Sequence, residues 1–193
     1  MSHHLHSETQ PPAAPRGFVA RALREIVETI AIFAIVFVIA RATIGNYSIL
    51  GQSMEPNYHQ DQRILVDKIT PRLFGYNRGD VVVVHSPVQE VELIKRVIGK
   101  PGDVVELING KVVVNGQQLV EPYLPPNTTS NPMDAVSRWE LGEDEYFVMG
   151  DNRNFSQDSR IFGPVTGDLI VGRALILYWP LSDFQLIPQG GTQ

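Results

Sequence analysis

An apolar segment near the amino terminus constrains this chain more than anything else in it. Ile30 to Ala40 holds no polar residue, and the wider stretch Ile26 to Ile44 is interrupted only by Glu28, Thr29, Arg41 and Thr43. At about 1.5 Å of rise per residue, residues 26–44 make a helix just long enough for a hydrocarbon core of about 30 Å. Arg16, Arg21 and Arg24 precede the segment and only Arg41 lies close on its far side. That bias keeps the amino terminus in the cytoplasm and sends the remainder to the exported face of a lipid bilayer. A cleaved secretory signal is the other reading, because a basic lead-in, an apolar core and the small-x-small triplet Ala40-Arg41-Ala42 are all present. The long leader with Pro11, Pro12 and Pro15 argues against it. Residues 1–25 read as a disordered cytoplasmic tail, with His3, His4 and His6 an incidental tract in it.

After Tyr47 the pattern changes. Short β-type runs follow one another: Arg63 to Ile69, Asp80 to Val84, Val91 to Ile98, Val104 to Ile108, Lys111 to Val114, Glu145 to Met149 and Asp168 to Trp179. Asn109-Gly110 and Asn115-Gly116 each sit between two runs, a strong signal for two-residue hairpins. No helical periodicity appears among them. The expected architecture is therefore mainly β, an antiparallel β-sandwich or partly closed barrel spanning residues 45–193, behind a single transmembrane helix over 26–44. Glu121 to Arg138, with four prolines, reads as a long surface loop.

Composition removes several function classes. The formal net charge of −5 and the scattered basic residues offer nucleic acid no phosphate-binding stripe. The absence of cysteine excludes disulfides, zinc–thiolate sites and a cysteine nucleophile. No metal or organic cofactor is implied.

Three stretches could carry chemistry. In Glu92-Leu93-Ile94-Lys95-Arg96-Val97-Ile98, a period of two puts Lys95 on one face with Leu93 and Val97. Burial disfavours an ammonium, so a lysine there either snorkels at a sheet rim or has its pKa lowered and serves as a base. In Gly51-Gln52-Ser53-Met54-Glu55-Pro56, a tight turn can expose both the Ser53 hydroxyl and its backbone amide, a nucleophile and an oxyanion donor from one residue. The third is the polar run Gly150-Asp151-Asn152-Arg153-Asn154-Phe155-Ser156-Gln157-Asp158-Ser159-Arg160.

Together with Arg78-Gly79-Asp80-Val81-Val82 and Pro101-Gly102-Asp103, and in this order behind a membrane segment, these motifs resemble those of the bacterial type I signal peptidases, membrane-anchored serine proteases of the Ser-Lys dyad type. The resemblance implies that Ser53 attacks the carbonyl at the cleavage site of a secretory precursor and that Lys95 takes its proton. It implies that Ser156 hydrogen-bonds the lysine and orients it. Asp158 and Arg160 match a structural ion pair beneath the site, with Arg160, and Arg96 as a second candidate, holding Asp158 away from Lys95. Met54, Pro56, Arg96 and Asp151 are read as structural residues beside the site. Some family members place a serine two residues before the nucleophile as second oxyanion donor. Here that position is Gly51, so its backbone amide or a water would have to serve beside the Ser53 amide.

The same resemblance implies cleavage after small residues at the first and third positions before the scissile bond. Ile49, Leu50, Leu93 and Ile94 would line the shallow pockets, with Tyr47 nearby, and the precursor would add an extended strand between residues 47–51 and 92–95. The expected partners are precursors bearing signal peptides, the bilayer and, indirectly, the export machinery. A histidine-based triad would need His59 or His85 beside Ser53, and nothing in the sequence puts either there. A self-cleaving repressor-type Ser-Lys domain lacks its Ala-Gly or Cys-Gly bond here. A membrane-tethered β module that binds exported chains without cutting them is the alternative reading.

Overall fold

The computed structural model describes residues 16–133 and 135–190. Residues 1–15, with the expected tail and its histidines, lie outside them. The chain divides into an amino-terminal helical segment and a β unit that begins at Thr43.

Helix α1 runs over Arg16–Thr43, and from Gly17 to Thr43 it is long and apolar enough to cross a membrane, a candidate anchor. Its apolar side chains, Phe33 and Val38 among them, are exposed. The helix thus begins ten residues before the expected 26, and residues 16–25 are helical rather than disordered. Proline ends at Pro15, and the helix formers that follow are reinforced by an Arg24–Glu28 pair at 2.7 Å, one helical turn apart.

The β unit contains strands β1 (Ile44–Ser48) and β2 (Arg63–Asp67), a short helix α2 (Thr70–Phe74), strands β3 (Val81–His85), β4 (Glu92–Gly99), β5 (Val104–Ile108), β6 (Lys111–Val114), β7 (Gln117–Gln118), β8 (Arg138–Glu140) and β9 (Glu145–Met149), helix α3 (Ser159–Phe162), and strands β10 (Val165–Thr166), β11 (Ile170–Trp179) and β12 (Gln185–Leu186). Every strand pairing is antiparallel. The larger sheet orders β1-β2-β11-β3-β4-β9-β10, with β12 added beside β11, and the smaller one orders β7-β6-β5-β8.

Both Asn-Gly pairs make their hairpins. Asn109 and Gly110 have φ of 50° and 75°, Asn115 and Gly116 of 52° and 79°, the positive pair that a type I′ turn demands. The unbroken Val81-Val82-Val83-Val84 run is explained by burial on both sides of the sheet. Val81 and Val83 join one cluster with Ile49, Met54, Ile64 and Ile94, while Val82 and Val84 join another with Val97, Tyr146, Val148 and Ile170. A third cluster packs the smaller sheet against Ile98 of β4 and Phe147 and Met149 of β9.

Short helices that no periodicity announced stand at α2 and α3. Pro71 lies in the first turn of α2, and the Asp158 side chain caps α3 by accepting from the Arg160 N–H. Among its described residues the expected loop over 121–138 is irregular as far as β8, but part of it is fastened down rather than free at the surface: Ser130 is 2% exposed.

Candidate active site

The turn after β1 carries Ser53. Gly51 has φ of 79°, in the left-handed region, and three backbone bonds close the turn: Glu55 N–H to Gln52 O at 3.2 Å, Asn57 N–H to Met54 O at 3.1 Å and Tyr58 N–H to Met54 O at 3.0 Å. Met54 is fully buried in the core, which pins the turn, and the Glu55–Pro56 peptide that follows it is cis. The N–H groups of Gly51 and Ser53 donate to no acceptor among the described residues.

Lys95 comes from the middle of β4, where it stands abreast of Val82 on β3. It is 1% exposed. Its amine donates to Ser53 Oγ at 2.8 Å and to the Ile94 carbonyl at 2.8 Å, and among the described residues no carboxylate forms an ion pair with it. Burial pulls the Lys95 pKa down to about 8. The nearby Asp158 and Asp151 carboxylates push it up, and the Arg160 guanidinium pushes it down again.

Those two carboxylates are compensated. Asp158 accepts from Arg160 at 2.9 and 2.8 Å and from the Gly150 N–H at 3.0 Å. Arg96, weighed as a second partner for Asp158, grips Asp151 instead, with bonds of 2.8 and 2.6 Å. Neighbouring strand residues point oppositely, so Arg96 leaves the sheet on the side away from Lys95. Asn57 donates a further bond to Asp151 at 2.8 Å, tying the serine turn to the same carboxylate.

Ser156 also differs from expectation. It is 5% exposed, but its hydroxyl makes no hydrogen bond, and the second contact of the Lys95 amine goes to the Ile94 carbonyl on its own strand. The hydroxyl nonetheless lies within the site, because a Cβ built on Gly150 would stand 2.3 Å from Ser156 Oγ and 2.4 Å from the Ser53 carbonyl oxygen.

Tyr47, Ile49, Leu50, Leu93 and Ile94 all line one cleft of about 430 Å³, together with Val91 and Glu92. Ile49 and Ile94 form its buried floor, at 2% and 7% exposure, and Leu50 projects from its rim. The cleft lies along an open strand edge. Strand β9 pairs with β4 only from Arg96 onward, so Glu92 to Lys95 is paired with β3 on one side and with no strand on the other.

Residues that sequence reasoning passed over hold the site together. Asn152 donates its N–H to the Ser53 carbonyl at 3.0 Å and its side-chain amide to the Gln52 carbonyl at 3.1 Å. The Tyr123 ring lies 3.9 Å from the Arg96 guanidinium, and the Tyr123 carbonyl accepts from Asn57. Glu121 and Ser130 bind Arg153, whose Nε donates to the Gly150 carbonyl at 3.1 Å. Asn152 had a signal in its polar run, whereas Asn57, Glu121 and Tyr123 had none. The two histidines stand elsewhere: His59 lies 3.8 Å from Glu55 and His85 4.0 Å from Glu92, both largely exposed and neither bonded to Ser53.

The geometry joins a serine hydroxyl, an uncompensated lysine, free amides and an open strand edge, which suits acyl transfer on an extended peptide. Residues 23–179 match the family described as signal peptidase, peptidase S26. Signal peptidase IB of Staphylococcus aureus is 35% identical over 177 residues, covering 84% of this chain and 92% of that protein. Signal peptidase I of Leptolyngbya laminosa is 33% identical over 186 residues, covering 89% of each. A crystal structure of a signal peptidase I from Enterococcus faecalis, 32% identical, aligns with 50% of this chain and 94% of its own at a TM-score of 0.44.

Proposed function

This chain belongs to the peptidase S26 family of signal peptidases, endopeptidases that remove signal peptides from precursor proteins, and on that premise we propose that Ser53 is its nucleophile and Lys95 its general base. The observation that carries the proposal is the 2.8 Å contact between the Lys95 amine and Ser53 Oγ inside a buried pocket. Neutral Lys95 accepts the Ser53 proton as the hydroxyl attacks the scissile carbonyl. The lysine then gives that proton to the leaving amine of the mature chain. A water, deprotonated by the same lysine, hydrolyses the Ser53 ester and returns the enzyme to its starting state. The Ser53 and Gly51 amides receive the oxyanion. A donor lost from such a hole costs on the order of 10²-fold or more in rate.

The precursor binds as an added strand along Glu92 to Lys95, opposite the residues of β1 and the turn. Tyr47, Ile49, Leu50, Leu93 and Ile94 shape the cleft for small residues at the first and third positions before the bond. Ser156 lines the site beside Gly150 with its buried hydroxyl unbonded, and Met54, Pro56, Arg96, Asp151, Asp158 and Arg160 hold the turn and the charges in place. The α1 helix anchors the chain in the bilayer with its amino terminus in the cytoplasm and residues 45–193 on the exported side.

Processing of a precursor by detergent-solubilised protein tests this reading. Ser53→Ala and Lys95→Ala should each abolish cleavage, while the His59→Gln/His85→Gln double variant keeps most of it. Equal processing by wild type and both single variants would refute the Ser-Lys protease reading. Loss in the histidine variant matching that of Ser53→Ala would replace the dyad with a triad.

A further inference from the structure

The open edge of β4 ends at a particular place. Arg96 is abreast of Met149, the last residue of β9, and Gly150 follows it directly into the loop. A substrate strand added along Glu92 to Lys95 occupies the same edge that β9 takes over from Arg96 onward. It cannot continue in the sheet. Beyond the scissile bond it must lift away over the Gly150 to Ser156 loop.

That loop is firmly held. Its Asn152 bonds to the carbonyls of Gln52 and Ser53, Arg153 and Ser156 are 2% and 5% exposed, and the Phe155 N–H donates to the Asn152 carbonyl at 3.1 Å. Phe155 is the one apolar side chain between Asp151 and Arg160, and it is 76% exposed. A single exposed apolar residue is ordinary on a protein surface. What distinguishes this one is its station, on a backbone tied directly to the nucleophile turn, where the departing half of an extended substrate has to pass. A side chain carried on a backbone already fixed there adds little backbone ordering when substrate covers it.

We propose that Phe155 is a specificity-determining residue, forming an apolar subsite for the first residue of the mature chain after the scissile bond and favouring bulky apolar side chains there. This rests on Ser53 being the nucleophile and on the Glu92 to Lys95 edge receiving the substrate. Larger apolar residues at that position gain contact area with the ring; glycine and serine gain none.

The test uses the full chain in detergent and precursor peptides that differ only in the residue after the scissile bond, as Gly, Ser, Leu or Phe. The wild type should favour Leu and Phe over Gly by about tenfold in kcat/KM, a gap typical of an apolar subsite. Phe155→Ala should reduce that ratio to within about twofold, and Phe155→Leu should keep an intermediate one. A wild type without the preference, a ratio unchanged in both variants, or an equal loss on every peptide would overturn the inference and leave the dyad standing. If the wild type cleaves none of the peptides, the protease reading falls with it.

Discussion

Gly150 stands so close to Ser53 that a Cβ in place of its hydrogen would lie 2.4 Å from the Ser53 carbonyl oxygen. Ser156 Oγ would be equally crowded at 2.3 Å. The approach lets the third motif touch the nucleophile turn, with the Asn152 N–H reaching the Ser53 carbonyl one step further on. Gly150→Ala should therefore displace either the serine turn or Ser156. The expected result is a fall in kcat of at least about 10²-fold, as for other small displacements of a reacting pair, with the protein still folded by circular dichroism. Retained kcat would show that the two segments need not be in contact.

Asp158 and Arg160 influence Lys95 in opposite directions, and their variants should shift the pH profile in opposite directions. Asp158→Asn removes a charge that favours protonated Lys95, so the acid limb of kcat/KM should move to lower pH. Arg160→Met leaves Asp158 uncompensated, and the limb should move to higher pH. Breaking this buried pair should also cost about 3–5 kcal/mol of stability in either variant, measured by denaturant unfolding. Shifts of the same sign would mean that charge is not what couples the pair to Lys95.

Lys95 should also weaken the fold wherever it is charged. Its pKa in the folded protein is about 8, against about 10.4 in an unfolded chain. Between those values the unfolded state holds a proton that the native state has lost, so wild-type stability should rise with pH across that window. Lys95→Met removes the buried charge. It should be the more stable protein at pH 7, by up to about 3 kcal/mol, with the advantage gone above pH 10. Denaturant midpoints across pH 6–10 check this; an advantage that does not change with pH would contradict it.

What could be read from the sequence was local. The two Asn-Gly hairpins depend on turn chemistry within two residues, and β5 and β6 were legible at their true bounds, whereas the two-residue β7 was not. Lys95 stood out because a period of two set it among hydrophobes, and the cleft residues were reached through motif resemblance. The site's long-range fastenings were not legible. Glu121 finds Arg153, and Tyr123 covers Arg96, across more than 25 residues of chain, and no periodicity or spacing marks such pairs. The pairing of Arg96 with Asp151 rather than Asp158 depends on which side of the strand each charge reaches, a tertiary choice. The start of α1 was misplaced because the prolines up to Pro15 and the scarcity of core-building residues were taken to set the character of the whole leader, while the helix propensity of residues 16–25 and the Arg24–Glu28 pair favoured continuing the helix.

Lys95 acting as base toward Ser53 is the centre of this account, and the titration of its amine tests it most directly. Lysine-selective labelling followed by NMR would track the amine, with the resonance assigned by its loss in Lys95→Arg, and kcat/KM for a precursor would be measured over the same pH range. The predicted result is one midpoint near 8 in both curves, with activity rising as the amine loses its proton. A Lys95 midpoint near the ordinary lysine value of about 10.4, or an acid limb that does not follow the Lys95 titration, would contradict the account.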